Sequence, residues 1–324
     1  MSRWLISTAA RLRTRRFSHI GPANRAEPRR GASPDSSGQT ASRVGTSEQR
    51  PSRLDTVDFT TAFRSAADNA DDPRTRQLAL NLAAVHERID KAVAASGRTD
   101  RPELIVVSKY FPPEDVQRLF ELGVRDIGEN KDQEAAAKAA SVAELLQDRD
   151  RRSSPEDPHD TALRWHFIGQ LQTNKAKSVV RYAHSVHSAD RPKLVKALDN
   201  AAERASGEGV RSQPLEVLIQ VDLRSPLPED HRGGASPTDM LSLAEIIASC
   251  EHLHLGGLMA VAPLEEAPEP AFARLGELAQ LLVTEHPVAT QISAGMSQDL
   301  EAAVSCGATR LRIGRDVLGE RPHH

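Results

Sequence analysis

Short runs rich in β-branched residues alternate with helical stretches eight times between residues 104 and 313, and this alternation limits the fold more than any other feature. The strand candidates are 104–109, 126–129, 165–168, 184–187, 215–222, 255–260, 290–293 and 309–313. Helical patterns fill the gaps at 113–122, 131–146, 174–180, 191–205, 237–250, 270–285 and 297–306. Glycines stand just past helix ends, as at Gly123 and Gly307, where a left-handed cap is needed. Another helix precedes the series: Leu78, Leu82, Val85, Ile89 and Val93 keep helical spacing up to Gly97. Strictly alternating strands and helices imply a parallel sheet with helices outside it. Eight strands over about 250 residues favour a closed (β/α)8 TIM barrel over an open doubly wound sheet.

Two further features bound the reading. Residues 1–72 are rich in Arg, Ser and Pro without sustained apolar periodicity, so they are expected to be a disordered extension, with the folded domain at 73–321. The start, MSRWLISTAARLRTRRFSHI, is Arg-rich and free of acids, which fits either an organelle transit peptide or a dispensable basic tail. Residues 1–50 carry a formal +7, which leaves −10 on the rest. A mildly acidic body argues against nucleic-acid binding as its main work. No run of 18 apolar residues suggests a membrane span. Cys250 and Cys306 are too few for a disulfide framework and lack zinc spacing, so a reducing, cytoplasmic setting is expected.

Barrel chemistry gathers at the C-terminal ends of strands. Lys109 ends LIVVSK as either a surface lysine with its ammonium in water or a partly desolvated amine able to form a Schiff base with an aldehyde. In ISAGMSQDLEAAVSCG, Ser297 is placed to N-cap a helix, and such an end is either an ordinary cap or a phosphate seat. Arg310 and Arg312 alternate with Leu311 and Ile313, so the two arginines share one face. If that face is inward, each needs a partner such as a carboxylate or a ligand ring nitrogen. His166, in RWHFIGQLQTNK, is either a pocket residue or a satisfied structural histidine. Glu129 and Asn130 follow the second strand, but a single carboxylate is no acid/base pair. No Ser-His-Asp order, glycosidase carboxylate pair, GxGxxG or Walker pattern stands out.

Together, VVSKYFPPEDV, ELGVRDIGENKDQEAAAK, RWHFIGQLQTNKAK, VHSADRPKLVKAL, LIQVDL, GLMAVAP, ISAGMSQDLEAA and TRLRIGRDVLGERP occur in one order that closely resembles the pyridoxal phosphate homeostasis protein family. The resemblance spans about residues 74–321 and implies the fold of the alanine racemase N-terminal domain, PLP fold type III. It implies that Lys109 holds pyridoxal 5′-phosphate (PLP) as a Schiff base. It implies phosphate contacts at Ser297 and Gly314, and Arg312 at the pyridine nitrogen. Asn130, His166, Ser188 and Met259 match residues lining the pocket. Two positions depart from the family: Arg315 stands where a hydroxyl residue is usual, and Lys131 where a tyrosine is common. Arg315 could replace the lost hydrogen bond with a charge-assisted one, or clash.

The implied function is a cofactor-binding protein that buffers PLP and delivers it, with transient contacts to PLP-dependent apo-enzymes, no robust catalysis and a monomeric state. A guanidinium keeps the ring nitrogen unprotonated, which weakens the ring as an electron sink and suits a carrier. The alternative is a PLP-dependent amino-acid racemase. That reaction needs a second base, which alanine racemase takes from a C-terminal domain with no counterpart after residue 313. Tyr110 and Tyr182 are the chain's tyrosines, and strand alternation is expected to turn Tyr110 away from Lys109. A barrel that acts by protein contacts alone is the third reading.

Overall fold

The computed structural model describes residues 58–150, 162–227 and 233–321. The expectations for residues 1–57 lie outside the described residues. Eight strands form: β1 Glu103–Val107, β2 Asp126–Glu129, β3 Arg164–Phe167, β4 Ala183–Ala189, β5 Leu215–Gln220, β6 Leu253–Met259, β7 Gln291–Ser293 and β8 Arg310–Ile313. Each pairs in parallel with the next, and β8 pairs with β1, so the barrel closes. Its helices are α1 Phe59–Asp68, α2 Pro73–Ser96, α3 Pro113–Glu121, α4 Asp132–Asp150, α5 Ala176–Val179, α6 Pro192–Gly207, α7 Met240–Ala248, α8 Pro268–Glu285, α9 Leu300–Ser305 and α10 Arg315–Leu318.

One expectation is corrected here. Helix α1 lies inside the stretch expected to be disordered. Asp58 caps it by accepting from the Thr61 amide, and Phe63 and Ala67 are buried. The Phe59 and Phe63 rings lie 4.9 and 5.0 Å from the His86 ring on α2. Two aromatic rings and a cap are enough to hold a ten-residue helix that is too short to persist alone. Helix α2 begins on Asp72, which accepts from the Arg74 and Thr75 amides, and ends at Gly97 with φ 69°.

Strand alternation creates two interiors. Outward residues such as Ile127, Trp165, Phe167, Val217, Leu311 and Ile313 pack with Leu119, Leu198 and Phe272 in the layer between strands and helices. The inward residues are largely polar: Asp126, His166, Ser185, His187, Ser293, Arg310 and Arg312 are all buried. Leu311 and Ile313 therefore face the helices, and the two arginines face the lumen. Arg310 finds carboxylates there, with Glu216 at 2.5 Å and Glu103 at 3.1 Å.

Candidate functional site

A cavity of about 760 Å³ opens at the C-terminal end of the barrel, lined by Lys109, Tyr110, Ser297, Arg312, Gly314 and Arg315 among others. It is formed where β1, β7 and β8 hand over to their following loops. Strand β1 stops at Val107, and the Ser108 amide extends its ladder by donating to the Gly128 carbonyl at 3.0 Å. The chain then turns, with the Phe111 amide donating to the Ser108 carbonyl and Tyr110 at φ 71°. A positive φ in an aromatic residue is strained and needs support from its surroundings.

That support is a buried clamp. Lys138 Nζ on α4 donates to the Ser108 carbonyl at 2.7 Å and to Glu129 Oε1 at 2.6 Å. The Ser108 hydroxyl donates to the same Glu129 oxygen at 2.7 Å. The residue before Lys109 is thus tied by backbone and side chain. Lys109 makes no ion pair or hydrogen bond among the described residues, and its Nζ lies 5.9 Å from the Tyr110 ring centroid. Because alternation ends at Val107, Tyr110 lines the same cavity as Lys109 rather than pointing away. The Arg321 guanidinium covers its ring at 3.7 Å.

Arg312 forms part of the cavity wall although it is only 4% exposed. Its Nη1 donates to the Ser293 hydroxyl at 2.7 Å and its Nη2 to the Ala260 carbonyl at 2.8 Å. No carboxylate stands within ion-pair distance among the described residues. Burial pushes the guanidinium down to about 10, opposed by the field of Asp299. A buried cation with two neutral acceptors has donor capacity to spare for a ligand.

Ser297 lines the cavity, but α9 starts at Leu300 with Asp299 at its N-cap, so the expected capping role passes to another residue. Asp299 Oδ1 accepts from the Met296 amide instead, which closes the turn that carries Ser297. Gly295 allows this turn at φ 90°; a Cβ there would stand 2.6 Å from Ala303 Cβ and 2.8 Å from Leu311. Gly314 leads into α10 and lies against the end of β1, where a Cβ would be 3.1 Å from the Val107 carbonyl. Arg315 is 62% exposed in its side chain and loosely paired with Glu320 at 3.8 Å, so it stands at the mouth without a clash. Lys131 is exposed and bonded to Glu134 at 2.8 Å.

Of the nine residues singled out from sequence, Lys109, Ser297, Arg312, Gly314 and Arg315 meet in this cavity. Asn130 lines a separate cavity of about 310 Å³ with Asp132, Gln172 and Lys175. His166 lies inside the barrel, bonded to Asp126 and Ser185. Ser188 and Met259 are buried at the ends of β4 and β6 and line neither cavity. Sequence reasoning passed over Lys138 and His187. For His187 the available signal was a polar residue at an inward strand position; Lys138, on a helix, carried none.

The family model of the alanine racemase N-terminal domain matches residues 80–322. A pyridoxal phosphate homeostasis protein of Mycobacterium bovis is 40% identical over 252 residues, covering 76% of this chain and 94% of its own length. The structure of PipY from Synechococcus elongatus with PLP bound superposes with a TM-score of 0.59 at 29% identity, covering 75% of this chain and all of that one. The alanine racemase of Clostridium difficile shares the fold, with a TM-score of 0.53 at 12% identity over 76% of this chain and 60% of its own.

Proposed function

This chain belongs to the pyridoxal phosphate homeostasis protein family, built on the alanine racemase N-terminal-domain fold, and from that premise we propose that it binds PLP to buffer and deliver it rather than to turn over a substrate. One observation carries the reading: a lysine amine unpaired among the described residues and a buried, under-bonded guanidinium share a cavity of about 760 Å³. A group with an aldehyde, a ring nitrogen acceptor and a phosphate fits that donor set. Lys109 is the covalent anchor for the aldehyde carbon. Arg312 donates to the ring nitrogen and, being a cation, accepts no proton from it. The Ser297 hydroxyl and the backbone at Gly314 receive the phosphate, with Arg315 adding a charge-assisted bond from the mouth. When bound, PLP supplies a reactive carbonyl conjugated to an electron-withdrawing ring.

The racemase alternative requires a base on the face of the ligand opposite Lys109. Tyr110 enters the cavity but follows Lys109 directly, on the same wall, beneath Arg321. Tyr182 lines neither cavity, and burial beside Asp132 and Glu129 pushes its phenol far up, which keeps it protonated and unable to take a proton. We place the protein in the cytoplasm as a monomer that meets PLP-dependent apo-enzymes transiently. No helix among the described residues is long and apolar enough to cross a membrane.

The test is to incubate the purified chain with PLP, record its visible spectrum, reduce with borohydride and map the modified peptide. A pyridoxyl mass on Lys109, absent from Lys109→Ala, is the expected result. A protein that takes up no PLP, or takes it up equally well in Lys109→Ala, would overturn the reading.

A further inference from the structure

The barrel lumen beneath Arg312 holds a continuous chain of side chains. Ser293 Oγ, which accepts from Arg312 Nη1 at 2.7 Å, lies 2.9 Å from His187 Nδ1. His187 Nε2 lies 2.8 Å from Ser185 Oγ, with His166 Nδ1 at 3.2 Å as a second neighbour. Ser185 Oγ lies 2.6 Å from His166 Nδ1, and His166 Nε2 lies 2.8 Å from Asp126 Oδ1. Asp126 is gripped by Arg164 at 2.7 and 2.6 Å. These residues come from β2, β3, β4, β7 and β8, and all but Arg164 are buried.

With one hydrogen on each imidazole, the two ends leave a single direction for every bond between them. A guanidinium only donates and a carboxylate only accepts. Ser293 receives from Arg312 and gives its own hydrogen to His187 Nδ1. His187 must then carry its hydrogen on Nε2 and pass it to Ser185, whose hydrogen goes to His166 Nδ1. His166 likewise carries its hydrogen on Nε2 and donates to Asp126. Burial, with the Arg310 and Arg312 guanidiniums nearby, drives His187 well below its ordinary value. Asp126, though raised by burial, is held well below the carboxylate range by its bonds from His166 and Arg164.

We propose that Ser293, His187, Ser185, His166 and Asp126 form a one-way hydrogen-bonded relay that positions Arg312 as a fixed donor on the wall of the cofactor cavity. Arg312 has no carboxylate against it among the described residues. Asp126, at the far end of the lumen, is the terminal acceptor of aligned bonds that polarise one another. The relay holds the guanidinium plane and leaves its spare N–H groups facing the cavity, so a ring nitrogen there meets only a donor. This inference rests on the proposed PLP function, for which these five are positioning residues.

Two measurements test it. Isotope-labelled histidine NMR of the full chain without PLP is expected to show His166 and His187 neutral and protonated on Nε2, with His187 losing its single tautomer in Ser293→Ala. In the PLP-loaded protein, Ser293→Ala is expected to shift the cofactor's absorption band and to release it about three- to tenfold faster, the worth of one hydrogen bond. Ser293→Thr, which keeps the hydroxyl, restores both. A protonated His187, a hydrogen on its Nδ1, or a Ser293→Ala protein with unchanged spectrum and release would overturn the relay. Failure of the unsubstituted protein to take up PLP would overturn the relay's role together with the proposed function. The histidine spectra, which need no cofactor, separate that case from a relay that never formed.

Discussion

Lys138 shows how much of this site is built by residues that never reach the cavity. Its side chain is 8% exposed and that of its partner Glu129 1%, so the two buried charges balance each other across an ion pair at 2.6 Å. Removing one member strands the other. Lys138→Met is therefore expected to cost about 3–5 kcal/mol in urea unfolding, and Lys138→Met with Glu129→Gln to recover much of that loss. If the double variant is no more stable than the single one, the cost lies in packing and not in the stranded charge. The same pair holds the Ser108 carbonyl, so Lys138→Met is also expected to slow PLP loading at Lys109. Little of this clamp was legible in sequence. Lys109 was visible because a lysine closing an apolar run is conspicuous. Lys138 sits in an ordinary-looking helix, EAAAK, and only the tertiary fold brings it to Ser108. The relay was half legible: Asp126, His166, Ser185, His187, Ser293 and Arg312 are all polar residues at inward positions. Which of them touch depends on pairing across five strands, and one sequence does not state it.

Among the elements, the barrel strands were the most legible, because β-branched runs and glycine stops recur at a regular spacing. Helix α1 was the least. FTTAFRSAAD follows a long Arg- and Ser-rich stretch, and its own signals are modest: Asp58 as cap, with Phe59, Phe63 and Ala67 at helical spacing. Its docking gives α1 a testable acid sensitivity. His86, beneath Phe59 and Phe63, is held neutral by burial and by the Arg101 guanidinium at 2.5 Å, so its value falls from 6.5 to about 4, with Asp90 opposing. The unfolded chain binds this proton at higher pH than the folded one. The contribution is therefore complete above about 6.5 and lost as pH falls towards 4, on the order of 3 kcal/mol in all. Unfolding midpoints in urea from pH 7 to 4 are expected to fall for the unsubstituted protein and to stay flatter for His86→Leu. Equal slopes would mean that other groups carry the acid sensitivity. The β7–α9 turn is a second weak point. Gly295→Ala meets both a positive φ and a contact at 2.6 Å, and is expected to cost about 2 kcal/mol or more and to weaken PLP retention through Ser297. Full retention of cofactor and stability there would show that the turn relaxes freely.

At the scale of the whole molecule, the division of labour is between a closed barrel and what precedes it. The family match covers residues 80–322, and every residue given a role in PLP binding lies within it. Helix α1 lies before that match but packs on α2 through buried Phe63 and Ala67. Two truncations should therefore behave differently. A chain starting at residue 58 keeps α1, the cavity, the clamp and the relay, and is expected to match the full chain in melting temperature and PLP uptake. A chain starting at residue 70 loses α1 but keeps Asp72, which caps α2. That chain exposes His86, which Phe59 and Phe63 cover. It is expected to melt several degrees lower, since one or two kcal/mol moves the midpoint of a domain this size by a few degrees. It should still take up PLP on Lys109, because the cavity is formed by the C-terminal ends of the strands and α1 contributes no lining residue. Calorimetry with and without PLP reads both properties in one experiment, as bound cofactor raises the midpoint by mass action. If the chain starting at 58 loses PLP uptake, the working unit extends into residues 1–57, and the basic segment takes part in cofactor handling. If the chain starting at 70 loses it while remaining folded, α1 acts on the site through α2 and is more than a cover for its apolar face.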